Sequence, residues 1–207
     1  MAHSLAAWQA GWPGTSGPVM GVPCLTCATC GGSRCRTGGS AGSVAAVIIR
    51  DATNDDWPRI WPFFQHIVAA GESYAFPLDL DLDTGRPWWM EQPPGRTVVA
   101  VDGDRVLGSA KMGPNRPGRG SHVATASFMV DPAATGRGVG RALGEHVLAW
   151  ARAAGYRSMQ FNAVVETNTP AVTLWTALGF TVIGTVPEAF DHPRHGLVGL
   201  HVMHREL

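Results

Sequence analysis

The sequence predicts an α/β protein on a mixed sheet flanked by helices, and three observations lead there. In the C-terminal half, strand-like apolar runs alternate with two segments of helical periodicity, the mark of parallel crossovers. Two further strand-like runs flank Asp102-Gly103-Asp104, which reads as an antiparallel hairpin. Composition also divides the 207-residue chain near residue 44, with every acidic residue beyond that point. A folded domain is therefore expected over 44–207, preceded by a disordered Gly/Cys-rich extension over 1–43.

The extension has no Asp, Glu, Lys or Ile, two Arg (Arg34, Arg36), nine Gly and all four Cys. It holds too little apolar surface to offset its ordering entropy. Cys24, Cys27, Cys30 and Cys35 are spaced like part of an iron–sulfur or zinc run, but no surrounding residues would form a structured loop. No metal is expected there, and in a reducing compartment the thiols stay unpaired.

The elements then follow in order. Val44–Arg50 is a short apolar run of strand type. Thr53 or Asn54 caps a helix with Asp55 and Asp56 in its first turn, extending to about Ala70. Leu78–Trp89 is ambiguous, because Gly85 and Pro87 break its pattern. Thr97–Val101 and Arg105–Met112 form the hairpin, Asn115–Gly120 a loop, and His122–Val130 the fourth strand. Val139, Leu143, Val147, Ala151 and Ala154 share one face of a helix that ends at Gly155. Ser158–Val164 is a strand. Ala171, Leu174 and Leu178 line the helix Thr169–Leu178, stopped by Gly179. Phe180–Val186 and Leu197–His204 complete the sheet.

Charge narrows the function. Sixteen basic and sixteen acidic residues give a formal net charge of zero, so no general attraction to nucleic acid or anionic membrane is expected. No apolar run reaches the ~18 residues of a membrane span, and no apolar segment of signal-peptide type stands near the N-terminus. A cytoplasmic protein is expected.

The informative segment is Val130-Asp131-Pro132-Ala133-Ala134-Thr135-Gly136-Arg137-Gly138-Val139-Gly140-Arg141-Ala142-Leu143. A strand ends, proline stops its ladder, and glycines at alternate positions open a helix. The free amides of that first helical turn form an anion cradle, with Arg137 and Arg141 adding charge. Gly138-Val139-Gly140-Arg141-Ala142-Leu143 fails the dinucleotide fingerprint at its last position. A phosphate loop of Walker type needs Gly-Lys-Ser/Thr, and the only lysine is Lys111.

The segment resembles the acetyl-CoA pyrophosphate loop of the GNAT superfamily of N-acetyltransferases, V-x-P-x-x-[QR]-G-x-G-[hydrophobic]-[GA]-x-x-L, with Thr135 as the one departure. Asn168-Thr169-Pro170-Ala171-Val172-Thr173-Leu174-Trp175-Thr176-Ala177-Leu178-Gly179-Phe180 is similar to the family's N-x-x-A-x-x-L-[Y]-x-x-x-G-F segment. The resemblance implies a splayed sheet with the pantetheine arm between the strands ending at Val130 and Val164. It implies acetyl-CoA held by Phe128, Met129, Val130, Gly136, Arg137, Gly138, Val139, Gly140 and Arg141, with Asn168 and Trp175 from the next helix. Within the superfamily, Phe161-Asn162-Ala163-Val164-Val165-Glu166-Thr167-Asn168 and Val186–Pro193 resemble the group that acetylates proline analogues such as azetidine-2-carboxylate.

Acetyl transfer from a thioester needs a neutral amine, an oxyanion donor and a proton for the leaving thiolate. An alkylamine of pKa ~10.4 is neutral in about one molecule per 2,500 at pH 7, a cost of ~4.6 kcal/mol. Glu166, His122 and Glu72 are the candidate bases, and the choice among them stays open. Asn162 is the candidate to hold an acceptor carboxylate or a catalytic water. The resemblance places the oxyanion donor at a backbone N–H near Met129 or Val130. Trp175 replaces the family's usual tyrosine, and no tyrosine acid is assigned, since Tyr156 ends a helix and Tyr74 lies in an early loop. Glu72, Tyr74 and Phe76 belong to a loop expected over the acceptor. Trp57, Trp61, Trp88 and Trp89 are read as packing rather than an acceptor cage. Asp79, Asp81 and Asp83 lack the glycine and glutamate of a calcium loop. His192, His195, His201 and His204 lack one-face ligand spacing.

The expected function is acetyl-CoA-dependent acetylation of the amine of a small, amino-acid-like acceptor. A protein-lysine acetyltransferase with a regulatory role and a non-catalytic acyl-CoA sensor are the alternatives, and a homodimer stays open.

Overall fold

The computed structural model describes residues 47–207, so the cysteine-bearing extension and its expected disorder lie outside the described residues. Seven strands form one sheet in the order β1-β2-β3-β4-β5-β7-β6. They are β1 (Ile48–Asp51), β2 (Arg96–Asp102), β3 (Arg105–Pro114), β4 (Val123–Val130), β5 (Ser158–Val165), β6 (Thr181–His192) and β7 (Gly196–Glu206). The helices are α1 (Trp57–Ala70), α2 (Leu82–Trp89), α3 (Val139–Ala153) and α4 (Thr169–Ala177).

The hairpin forms at Asp102-Gly103-Asp104, where Gly103 takes φ 58°, and Asp102 pairs with Arg105. β4 follows β3 antiparallel, so β1 to β4 make a meander. The sheet changes character at β5. β4 and β5 run parallel and pair only at Val123–Ser158 and Ala124–Met159. Beyond those pairs they part, which is the splay that the resemblance implies.

Each face of the sheet buries its own core. On one side α3 and α4 cover Leu107, Ala110, Met112, Met159, Phe161 and Met203. On the other, α1 and α2 bury Trp57, Ile60, Phe64 and Trp89 against Val99, Val101 and Met129. The indole N–H of Trp57 donates to the Leu82 carbonyl at 2.7 Å, and that of Trp89 to the Ser109 hydroxyl at 2.9 Å. These tryptophans are packing residues with satisfied donors.

Two elements depart from the pattern reading. The ambiguous stretch is helical from Leu82 to Trp89 despite Gly85 and Pro87. Asp81 caps it, accepting from the amides of Asp83 and Thr84 at 3.1 and 2.8 Å, and the Trp61 ring closes on Gly85. A Cβ on Gly85 would stand 2.6 Å from that ring, so the residue that weakens the helix is what lets it dock. β6 also runs on to His192, six residues past the expected end. Its register slips between Val186 and Phe190, where Glu188 has φ 51°, and this bulge carries the strand past Pro187.

Candidate functional site

The gap between β4 and β5 opens into a cavity of about 1210 Å³. Its walls include Phe128 and Val130 of β4, Asn162 and Val164 of β5, and Asn168 and Trp175 from the start and body of α4. The far side is closed by Tyr74 and Phe76 of the α1–α2 loop and by the segment Glu91–Gly95.

Backbone alternation determines what β4 offers to this gap. The Asp131 amide donates to the Leu107 carbonyl at 2.9 Å, so odd-numbered residues here point their polar groups at β3. Met129 is therefore committed to the β3 ladder, and of the two expected oxyanion donors only Val130 faces the gap. Phe128 faces it as well. The Tyr74 hydroxyl donates to the Phe128 carbonyl at 2.6 Å and accepts from its N–H at 3.2 Å. Burial pushes the Tyr74 hydroxyl well above the usual tyrosine range.

Past Val130 the chain turns through Pro132–Ala134, tied down by the Asp131 carboxylate, which accepts from the Ala133 amide at 2.9 Å and from Arg105 at 2.8 Å. Gly136 and Gly138 then adopt φ 80° and 76°, and a Cβ on either would meet nothing within 4 Å. The amides of Gly138–Arg141 precede the first bond of α3, from the Ala142 amide to the Gly138 carbonyl. This left-handed glycine turn with open amides fits a pyrophosphate. A Cβ on Gly140, by contrast, would lie 3.4 Å from Leu174, so that glycine brings α3 close to α4. The two arginines are engaged elsewhere: Arg137 bonds Asp102 at 2.8 Å and Arg141 pairs with Glu145 at 3.5 Å. Both guanidiniums are thus paired with carboxylates in this structure, while the amides of the glycine turn stay open.

The aromatic end of the cavity is tight. Trp175 packs tilted against Phe128 (ring centroids 4.5 Å) and edge-on to Phe161 (4.9 Å), and is 7% exposed. Asn168 caps α4 through its side-chain oxygen, which accepts from the Ala171 amide at 3.2 Å, and its Nδ2 reaches the Ser73 hydroxyl at 3.4 Å. Asn162 stands beside a break in the β5–β7 register between Phe161 and Val164. Its Nδ2 donates to Asn115 Oδ1 at 2.7 Å and its Oδ1 accepts from Gln160 Nε2 at 2.8 Å, forming a row of three amides.

All three candidate bases lie outside the cavity lining. The Glu166 carboxylate is outside the cavity lining and accepts from the Gly199 amide, closing the end of the β5–β7 ladder. Glu72 forms an ion pair with Arg194 at 2.8 Å at the β6–β7 turn, also outside the lining. His122 is exposed at the mouth of β4 and likewise outside it. Conversely, Glu91, Lys111, Asn115 and Ser127 line the cavity and were not singled out by pattern. The lysine had a readable signal: a lone charge inside the apolar run Val106–Met112.

Residues 50–180 match the acetyltransferase (GNAT) family. The chain belongs to the GNAT family. A GCN5-related N-acetyltransferase from Kribbella flavida is 62% identical, with a TM-score of 0.76 over 78% of this chain and 98% of its own. The Salmonella typhimurium protein yncA, solved with acetyl-CoA, is 26% identical, with a TM-score of 0.69 over 78% of this chain and 94% of its own. Among curated relatives, N-acetyltransferase aca1 of Schizosaccharomyces pombe is 38% identical over 84 residues, 41% of this chain. A mycothiol acetyltransferase of Geodermatophilus obscurus is 41% identical over 106 residues, 50% of this chain. The chain spans only 40% and 33% of those two relatives' lengths.

Proposed function

We propose that this protein transfers an acetyl group from acetyl-CoA to the amine of a small, amino-acid-like acceptor. One observation carries the reading. The gap-facing edge of β4 leads from the cavity, past Phe128 and Val130, to the Pro132–Ala134 turn that opens the glycine cradle at the start of α3. Donor and acceptor ends thus share one wall.

Acetyl-CoA supplies an activated acetyl thioester, and the chain's own groups do the rest. The Gly138–Arg141 amides hold the pyrophosphate. The backbone of Val130 extends toward the pantetheine as a strand edge does toward its neighbour. The Phe128 N–H faces the gap and would serve as the oxyanion donor to an acyl carbonyl bound there. Trp175 and Phe161 form the apolar floor that excludes water there. Neutralising the amine falls to water held along the row Gln160–Asn162–Asn115, because Glu166 and Glu72 are tied to Gly199 and Arg194 and His122 lies outside the cavity lining.

The proline-analogue acetyltransferase group remains the subfamily proposed here, on the β5 segment Phe161–Asn168. The likeness to mycothiol acetyltransferases places a mycothiol-type amine on the same panel. A thiol-release assay with acetyl-CoA over cyclic amino acids, linear amino acids, simple amines, a mycothiol-type amine and lysine peptides tests the reading. Turnover highest with amino acids supports it. Turnover confined to lysine peptides replaces it with a protein acetyltransferase, and tight CoA binding without any thiol release replaces it with a sensor.

A further inference from the structure

Lys111 is the single lysine of the chain, and it lies inside the cavity, not on the surface. Its side chain is 10% exposed, and its ammonium donates to Glu91 Oε1 at 3.1 Å. An ammonium has three donors, so one carboxylate oxygen leaves it underused. A buried charge is costly unless fully paired, and a methionine or leucine would continue the apolar strand at lower cost. Something at this position makes use of the charge.

Its neighbours indicate what that is. Lys111 is in direct register with Ser127 of β4, and opposed residues of an antiparallel pair project from the same face. Thr125, two residues before Ser127, shares that face, and both residues line the cavity with Lys111. An ammonium with two hydroxyl side chains on its own sheet face suits a carboxylate. The Lys111–Glu91 pair is neutral as a unit, which favours a zwitterion over a polyanion. Arg116, another cation of the lining, bonds the Asn115 carbonyl at 2.8 Å and its side-chain oxygen at 3.1 Å.

We propose that Lys111, with Ser127 and Thr125, is the clamp for the acceptor's carboxylate, and that Glu91 holds the ammonium in place for it. The clamp deepens the amino-acid-like reading given above and rests on it. It sets specificity: the carboxylate anchors at Lys111 and the amine is left to face the Phe128 end of β4.

Calorimetric titration of the CoA-loaded protein tests this with L-proline and L-azetidine-2-carboxylate against pyrrolidine, azetidine and L-prolinamide. The two acids should bind at least tenfold tighter than their carboxylate-free counterparts. Lys111→Met should level that preference while CoA affinity is unchanged, and Lys111→Arg should retain part of it. If Lys111→Met also loses CoA affinity, the prolinamide comparison on the native protein decides. Equal binding of acids and amides to the native protein, no saturable binding of either acid, or a preference that survives Lys111→Met overturns the clamp. Thiol release separates the two readings. A Lys111-dependent acid preference in binding with no acetyl transfer to any amine keeps the clamp and overturns the catalytic reading. Acetylation of the acids at unchanged KM in Lys111→Met does the reverse.

Discussion

The Tyr74 hydroxyl satisfies both backbone groups of Phe128, giving to the carbonyl at 2.6 Å and taking from the N–H at 3.2 Å. One side chain from the α1–α2 loop thereby does for β4 what β5 would do if the sheet did not splay. The short bond fixes the loop over the gap. The longer one engages the N–H proposed as the oxyanion donor, so a thioester carbonyl bound there would displace the weaker of the two contacts. A sheet edge that would otherwise be unpaired is kept ready for a ligand.

Tyr74→Phe removes that hydroxyl and leaves the Phe128 groups without their partner. The expected loss of stability is about 1–3 kcal/mol, the range for stranding buried polar groups. Turnover should fall through misplacement of the loop. Because burial raises the Tyr74 pKa, its hydroxyl keeps its proton through the neutral and alkaline range. The pH–rate profile of Tyr74→Phe should therefore keep its shape and lose only height. A limb that disappears in the variant would mean that Tyr74 titrates in the reaction.

Gly138 separates strain from charge at the cradle. Its φ of 76° disfavours any side chain, although the space beside it is open. Gly138→Ala carries the strain alone and should weaken CoA binding modestly. Gly138→Glu adds an anion where phosphate sits and should raise the CoA dissociation constant at least tenfold, ~1.4 kcal/mol. Calorimetry of both variants checks this, and equal affinities in the two would remove the anion site from Gly138–Arg141.

Trp175 packs between Phe128 and Phe161, with its ring against Gly144 of α3, where a Cβ would stand 3.1 Å away. Trp175→Phe keeps an aromatic body and should retain turnover within about fivefold. Trp175→Ala should cost ~3–5 kcal/mol and weaken CoA binding with it. Thermal melts and steady-state rates on the two variants test the pair. A hundredfold loss in Trp175→Phe at unchanged CoA affinity would assign the indole N–H a part in the reaction.

Local signals made much of this architecture legible before any coordinates. The hairpin at Asp102-Gly103-Asp104, the cap and periodicity of α3 and the glycine turn are short-range features, and each formed where the pattern put it. What escaped was decided at long range. Gly85 looked like a breaker because its use, the approach of Trp61 from another helix, involves a residue 24 positions away. Glu166 looked catalytic at the end of a strand until β7 brought the Gly199 amide to it. Lys111 and Ser127 come together only through the β3–β4 register, which the apolar pattern alone does not number. The glycine turn proposed to hold the donor's pyrophosphate is one contiguous segment and is legible in the sequence. The proposed acceptor site draws on the α1–α2 loop, the segment after α2, β3, β4 and β5, and is not.

The start of α1 holds the clearest pH-dependent contact. Arg50 of β1 grips Asp56 with two bonds, at 2.6 and 2.8 Å, and Asp56 also accepts from the Thr53 amide at 2.7 Å and hydroxyl at 3.0 Å. The carboxylate is 2% exposed. The Arg50 hydrogen bonds, more than any other influence, lower its pKa from 3.8 to about 2. A depressed carboxylate pKa contributes stability that is fully present above the unfolded value and disappears as pH falls through the folded one. The contribution is therefore about 2 kcal/mol above pH 5, shrinking between pH 4 and pH 2. Asp56→Asn keeps the size and an acceptor oxygen but loses the charge. Its urea midpoint should lie well below that of the native protein at pH 6, and the two should converge near pH 2. A gap that stays constant across that range would show that the bonds from Thr53, not the ionised pair with Arg50, hold β1 to α1.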